Sequence, residues 1–143
     1  MRDLLFPAWP ARLADVALLL LRVLLGGYLI WGVWDNIVSA ERMAEFETFL
    51  RSLNCPYPEY AAPLSVYAQF AIGICLMLGL LTRWAGVLLA VNFTVAVILL
   101  WPSGDPRTLY PPGVLVPIGF LFFALGAGRF ALDARLTRPP PAA

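Results

Sequence analysis

The chain reads as an all-α membrane protein: a transmembrane four-helix bundle with a short interfacial amphipathic helix between spans 1 and 2. Three observations predict this. Aliphatic, aromatic and cysteine residues make up 61% of the 143 residues and charged residues 13%, with a mean hydropathy of +0.79. A soluble domain carries about 45–50% apolar and about 25% charged residues. Second, four apolar runs approach the roughly 20 residues needed to cross about 30 Å of hydrocarbon. Third, the stretch 72–86, IGICLMLGLLTRWAG, passes from one apolar run to the next through a single charged residue, Arg83. No Pro, Asn or Asp marks a wide loop there, so two spans are joined by a tight, positively charged turn.

The whole chain, 1–143, is expected to be a single membrane domain. Residues 1–15 form an amphipathic lead-in with Trp9, Pro10 and Arg12. The apolar run after it continues well past the core of a secretory signal and ends in WGVWDN, not in a small-residue cleavage site, so retention is expected. The first span is placed at 16–34, with Trp31 and Trp34 in the aromatic interfacial belt. Gly26 and Gly27 let a neighbouring helix approach closely. In the polar stretch that follows, Met43, Phe46, Phe49, Leu50 and Leu53 recur at helical spacing, with Glu and Arg on the other face. That pattern predicts a helix along the membrane surface, ended by Asn54, Pro56 and Pro58. The second span is placed at 61–81 and the third at 84–101. A Pro-rich loop over 102–112 leads to the fourth span at 113–130, where Gly126 and Gly128 stop the helix. The tail, 136–143, is rich in proline and expected to be disordered.

Arginine sets the expected orientation, since the chain has ten basic residues, all Arg. With the N-terminus inside, Arg2, Arg12, Arg83, Arg129, Arg135 and Arg138 lie on the cytoplasmic side and only Arg42, Arg51 and Arg107 on the other. That bias predicts a multi-pass protein of the cell inner (plasma) membrane with both termini cytoplasmic.

The catalytic inventory is thin. The chain has no His, which removes the commonest haem and transition-metal ligand and the usual general base at neutral pH. Cys55 and Cys75 form no CxxC pair. No metal site is expected, and no catalytic residue can be assigned. The spans carry no carboxylate, which excludes the usual Asp/Glu proton relay. A net charge of +1 gives no argument for nucleic acid. The lipid bilayer is the one partner the composition demands.

Polar groups at membrane depth remain. Arg22 has no acidic partner in the spans, so its hydrogen bonds go to Asn92, Gln69, backbone carbonyls, water, lipid phosphate or a ligand. Counting inward from the cytoplasmic ends puts Arg22, Asn92 and Cys75 at similar depth, with Gln69 somewhat further out. Snorkelling or helix-to-helix bonding accounts for Arg22; so does a small polar or quinone-like ligand whose oxygen meets it. Gln69 and Asn92 serve equally as interhelical ties. At the other surface Trp31, Trp34, Asp35, Asn36 and Tyr67 are candidates for a mouth between the first two spans, against the simpler reading of an aromatic belt.

Three features then resemble the DoxX family of small four-helix membrane proteins: the GLLTR turn at 79–83, the GAGRFALD ending at 126–133, and the order of spans around a surface helix that ends in Pro. The resemblance covers roughly 16–135. It implies loose ties to redox metabolism, since relatives include the small subunit of a thiosulfate:quinone oxidoreductase and a protein associated with oxidant-detoxifying partners. The chain departs from many relatives in its WGVWDN segment and in carrying Gln69 where Glu is common, so no catalytic role is carried over. The resulting expectation is an accessory or small subunit of a quinone-linked redox system, with a soluble or membrane redox partner and quinone as the cofactor class left open. The alternatives are a small-molecule or lipid transporter or binding protein, and a purely structural membrane partner.

Overall fold

The computed structural model of the chain describes residues 11–136, and every regular element among them is helical. Expectations for the lead-in before residue 11 and for the tail after residue 136 fall outside the described residues. Four helices are long and apolar enough to cross a membrane. Of each span's most apolar window, only 17–28% is buried inside the protein. Most of the apolar surface is therefore left for lipid.

Helix α1 (Ala11–Val38) is longer than the 16–34 expected, because Asp35 and Asn36 extend it instead of breaking it. Its 28 residues span about 42 Å, more than the hydrocarbon core, so one or both ends project or the helix tilts. Ser39 makes the corner: its amide donates to the Asp35 carbonyl at 3.0 Å, and its hydroxyl accepts from the Arg42 amide at 3.3 Å. It thereby caps α2 (Ala40–Ser52), whose Glu41 and Arg51 complement the helix dipole. Asn54, in the left-handed region, closes α2 with Asn54 N–H to Arg51 O and Cys55 N–H to Leu50 O.

Helix α3 (Pro58–Leu78) begins with proline at its first position and ends three residues before the expected 81. Gly79 causes the early stop. Its φ of +67° suits glycine, and the Leu80 amide returns to the Cys75 carbonyl at 2.9 Å. Helix α4 (Thr82–Leu100) follows after a turn of three residues, then a single 3₁₀ turn (Trp101–Ser103).

Helix α5 (Pro106–Leu125) corrects the fourth span, expected at 113–130. Most of the expected loop over 106–112 is helical. Asp105 caps the helix by accepting from the Arg107 amide at 3.1 Å and the Thr108 hydroxyl at 2.9 Å, and Pro106 lacks only an amide that would be unpaired there. Pro111, Pro112 and Pro117 are tolerated inside the helix because it is supported along its length by α4. Gly126 ends it, as the glycine pattern predicts, and a short α6 (Leu132–Leu136) follows.

The helices pack as two pairs, α1 with α3 and α4 with α5, joined through α3 against α4. Glycine makes each pair tight. A Cβ on Gly26 would lie 2.6 Å from the Gly73 carbonyl, and one on Gly73 would lie 2.8 Å from the Gly26 carbonyl. Gly86 and Gly119 do the same for α4 and α5, each 2.6 Å from the other's carbonyl. Gly27, expected to share the packing role, instead faces open space. Between the pairs, Leu25, Leu29, Ile72, Leu76, Ala85, Leu89, Leu115 and Phe122 form the buried core. Helix α2 lies across α3 and α1.

Candidate functional site

The sequence-predicted polar residues separate into two places. At the end of the bundle that holds the α3–α4 turn, the Arg22 side chain is 1% exposed. Helical side chains lean toward the N-terminus, so its guanidinium is carried away from the bundle centre toward that end. There Nη1 donates to the Ala127 carbonyl and Nη2 to the Phe130 carbonyl at 3.2 Å. Arg22 therefore meets neither Gln69 nor Asn92. Along α3, Gln69 stands ten residues, about 15 Å, from Gly79, against which the guanidinium packs.

Around Arg22 the GAGRFALD segment is stitched to the turn. Asp133 accepts from the Leu81 amide at 2.8 Å and the Thr82 amide at 3.0 Å, while its own amide donates to the Gly79 carbonyl at 3.0 Å. Its carboxylate also attracts the Arg22 guanidinium. Asp15 of α1 accepts from the Arg129 amide at 3.1 Å, and Arg83 Nη1 donates to the Phe123 carbonyl at 2.9 Å. We call this set the clasp. Among the described residues, Arg22 Nε and Thr82 Oγ1 are buried in it without a hydrogen-bond partner.

Gln69 and Asn92 come together near mid-span, away from the clasp, and Ser65, one turn further toward the other end of the bundle, joins them. Gln69 Nε2 donates to the Ser65 hydroxyl at 3.0 Å, which donates to Asn92 Oδ1 at 3.0 Å. These three line a groove of about 590 Å³, within the 300–1,000 Å³ of small-molecule sites. The remaining wall is almost wholly apolar. Tyr28 and Leu29 come from α1, Leu64 and Ala68 from α3, Leu88, Val91 and Val95 from α4, and Pro111, Pro112 and Leu115 from α5. Leu64 is 72% exposed and Val91 57%, so the groove opens sideways toward lipid. Helix α2 turns its apolar face, Phe46, Phe49, Leu50 and Leu53, onto the same groove. The surface helix is thus also a wall of the site. Cys55 sits at the rim and is a free thiol.

Trp31, Trp34 and Asp35 line no part of this groove. Trp31 is 77% exposed on the outside of α1, as an interfacial aromatic is. Trp34 packs its ring on Phe70, centroids 6.3 Å apart. Asp35 pairs with Arg42 at 3.5 Å, and Glu45 pairs with Arg42 at 2.6 Å. The Glu45 hydrogen bond and charge, with Asp35, push the Arg42 pKa up. Tyr67 is exposed as well. Sequence reasoning missed Ser65, although it stands one helical turn before Gln69 on the same face. Pro111 and Pro112 of α5 were missed because they were read as loop.

Fold and site together define a small integral membrane protein with a lipid-facing groove and a buried polar clasp at its opposite end. The DoxX family model matches residues 17–101, more than half of the chain. The protein belongs to the DoxX family. That match stops before α5 and the GAGRFALD ending. The chain is also similar to the inner membrane protein YqjF of Escherichia coli (strain K12), 25% identical over 132 residues, covering 89% of this chain and 97% of that protein. With the four apolar helices, this likeness supports a multi-pass location in the inner membrane. No solved structure matches the chain.

Proposed function

We propose that the protein is a non-catalytic accessory subunit of a quinone-linked redox system and holds the quinone in the groove beside Ser65, Gln69 and Asn92. The observation that carries the reading is this hydrogen-bonding row set in an otherwise apolar wall. A quinone is an apolar ring and isoprenoid tail with two carbonyl acceptors. Asn92 uses Oδ1 to accept from Ser65, which leaves its Nδ2 hydrogens to meet a ligand carbonyl. The chain has no His, and the carboxylates of its spanning helices, Asp15, Asp35 and Glu59, stand near helix ends and line no part of the groove, so in this reading electrons and protons pass through a redox partner. The ligand candidate therefore moves from Arg22, whose terminal nitrogens bond the clasp carbonyls, to Gln69 and Asn92. The arginine bias supports both termini in the cytoplasm, with the clasp at the cytoplasmic end and the groove in the outer half of the bilayer.

Lipid extraction of the protein purified in mild detergent tests this. Quinone should copurify, and Asn92→Leu with Gln69→Leu should remove it. If the wild-type protein neither carries quinone nor binds decylubiquinone, the reading is wrong. Recovery of phospholipid alone would favour the lipid-binding alternative, which the sideways opening of the groove also suits.

A further inference from the structure

We infer that the bundle works as a pair of tongs, in which the Ser65–Asn92 hydrogen bond is the latch that opens to admit the ligand sideways from the bilayer. This rests on the groove being the ligand site. One jaw is α1, α2 and α3; the other is α4 and α5. The backbone links the jaws only through the α3–α4 turn, Gly79 to Leu81, because α2 returns the chain to the jaw it left.

Each jaw is rigid. Backbone lies close against backbone at Gly26–Gly73 in one and at Gly86–Gly119 in the other. Helix α2 is fixed to α1 by the Asp35–Arg42 pair and by Asn36 Nδ2 donating to the Arg42 carbonyl at 3.0 Å.

The two ends of the jaws are held very differently. At the turn, Arg22 binds the carbonyls of Ala127 and Phe130, Asp133 binds the amides of Leu81 and Thr82, and Asp15 binds that of Arg129. All these bonds involve a charged group, the stronger class. At the groove end, among the described residues, the Ser65–Asn92 bond at 3.0 Å is the one hydrogen bond joining the jaws. It is neutral, and its partners are side chains that line the groove. A ligand carbonyl can accept from the Ser65 hydroxyl or from Asn92 Nδ2 as the latch parts. The Ser65 donor exchanges one acceptor for another, so opening on the ligand gives up only the donor to Asn92 Oδ1.

The test uses nitroxide pairs read by double electron–electron resonance in nanodiscs, in a Cys55→Ser, Cys75→Ala background. Labels at Ser52 and Ser103 report across the groove end; labels at Ala14 and Leu125 report across the clasp end. Decylubiquinone should lengthen or broaden the Ser52–Ser103 distances and leave Ala14–Leu125 unchanged. Ser65→Ala should broaden the first pair without ligand and raise the association rate of decylubiquinone about threefold, the equivalent of about 0.6 kcal/mol. Decylubiquinone bound with neither pair moving, or with both moving together, overturns the tongs. Absence of binding overturns the ligand reading instead. In that case the Ser65→Ala distances alone decide whether the jaws part at the latch.

Discussion

Arg22→Met separates a structural role from a ligand role. Methionine keeps most of the volume and stays apolar, so packing around α1 changes little. What disappears is the donor pair to Ala127 and Phe130. Bonds from a charged group contribute about 1.5–3 kcal/mol each, giving about 3–6 kcal/mol lost. Two effects offset part of this. Arg22 Nε, buried without a partner, is removed together with its desolvation cost of about 1–3 kcal/mol. The unfolded helix also stays in the membrane, where the native arginine snorkels at little cost. The net expectation is a destabilisation of about 2–3 kcal/mol, roughly a 30- to 150-fold shift in the folding equilibrium. Unfolding by sodium dodecyl sulfate in mixed micelles, followed by tryptophan fluorescence, measures it. Under conditions where the variant stays folded, its affinity for decylubiquinone should match the wild type. A variant as stable as wild type would refute the clasp. A folded variant that has lost the ligand would refute the placement of the ligand at Gln69 and Asn92.

Other perturbations reach the remaining parts of the argument. Gly79→Ala combines a left-handed backbone cost of about 1–2 kcal/mol with a Cβ lying 2.6 Å from the Ala131 Cβ and 2.7 Å from Arg22 Nη1, so it should destabilise by more than the backbone cost alone in the same unfolding assay. Asp133→Asn leaves one carbonyl oxygen facing two amides, and hydrogen exchange at Leu81 and Thr82 should accelerate on the order of tenfold or more, for a loss of about 1–3 kcal/mol. Gly119→Leu should force α4 from α5 and destabilise the bundle, whereas Gly27→Leu, which faces open space, should unfold as the wild type does. If the groove lies on the outer side, as proposed, a membrane-impermeant maleimide added to spheroplasts should label Cys55 and spare Cys75, which packs against the core; labelling confined to inverted vesicles would reverse the orientation.

The four spans were legible because hydropathy is summed over some 20 residues and survives errors at any one of them. Their ends depended on single residues. Asp35 and Asn36 looked like a terminus yet continue α1, since the corner is made by Ser39. Pro111 and Pro112 looked like loop, but in a span packed against a neighbour the lost backbone bonds are tolerable. The site was legible only in pieces. Gln69 and Asn92 stood out as amides at membrane depth, and they do meet, through Ser65. Arg22 stood out for the same reason, but counting residues gives the depth of Cα, while a long side chain leaning toward the N-terminus delivers its charge elsewhere. The pairing of Arg22 with the GAGRFALD segment joins residues more than a hundred positions apart, and no periodicity reports such a contact.

The unequal strength of the two ends explains why the polar residues are divided as they are. A membrane bundle gains little from burying apolar surface, because lipid offers its helices the same environment. Packing and hydrogen bonds must then decide which parts hold and which yield. Placing the guanidinium and the Asp133 carboxylate at the turn gives that end bonds of the charged class. Placing only neutral amides and a hydroxyl at the groove end leaves a tie of about 0.6 kcal/mol, close to thermal energy. Were the arrangement reversed, with Arg22 in the groove, a neutral ligand would have to displace a charge-assisted bond before it could enter. An equilibrium of a few kcal/mol between closed and open forms would then lie too far toward closed for such a ligand to shift. On the proposed reading, weak polar groups at the groove and strong ones at the clasp would let one end exchange a ligand while the other preserves the fold.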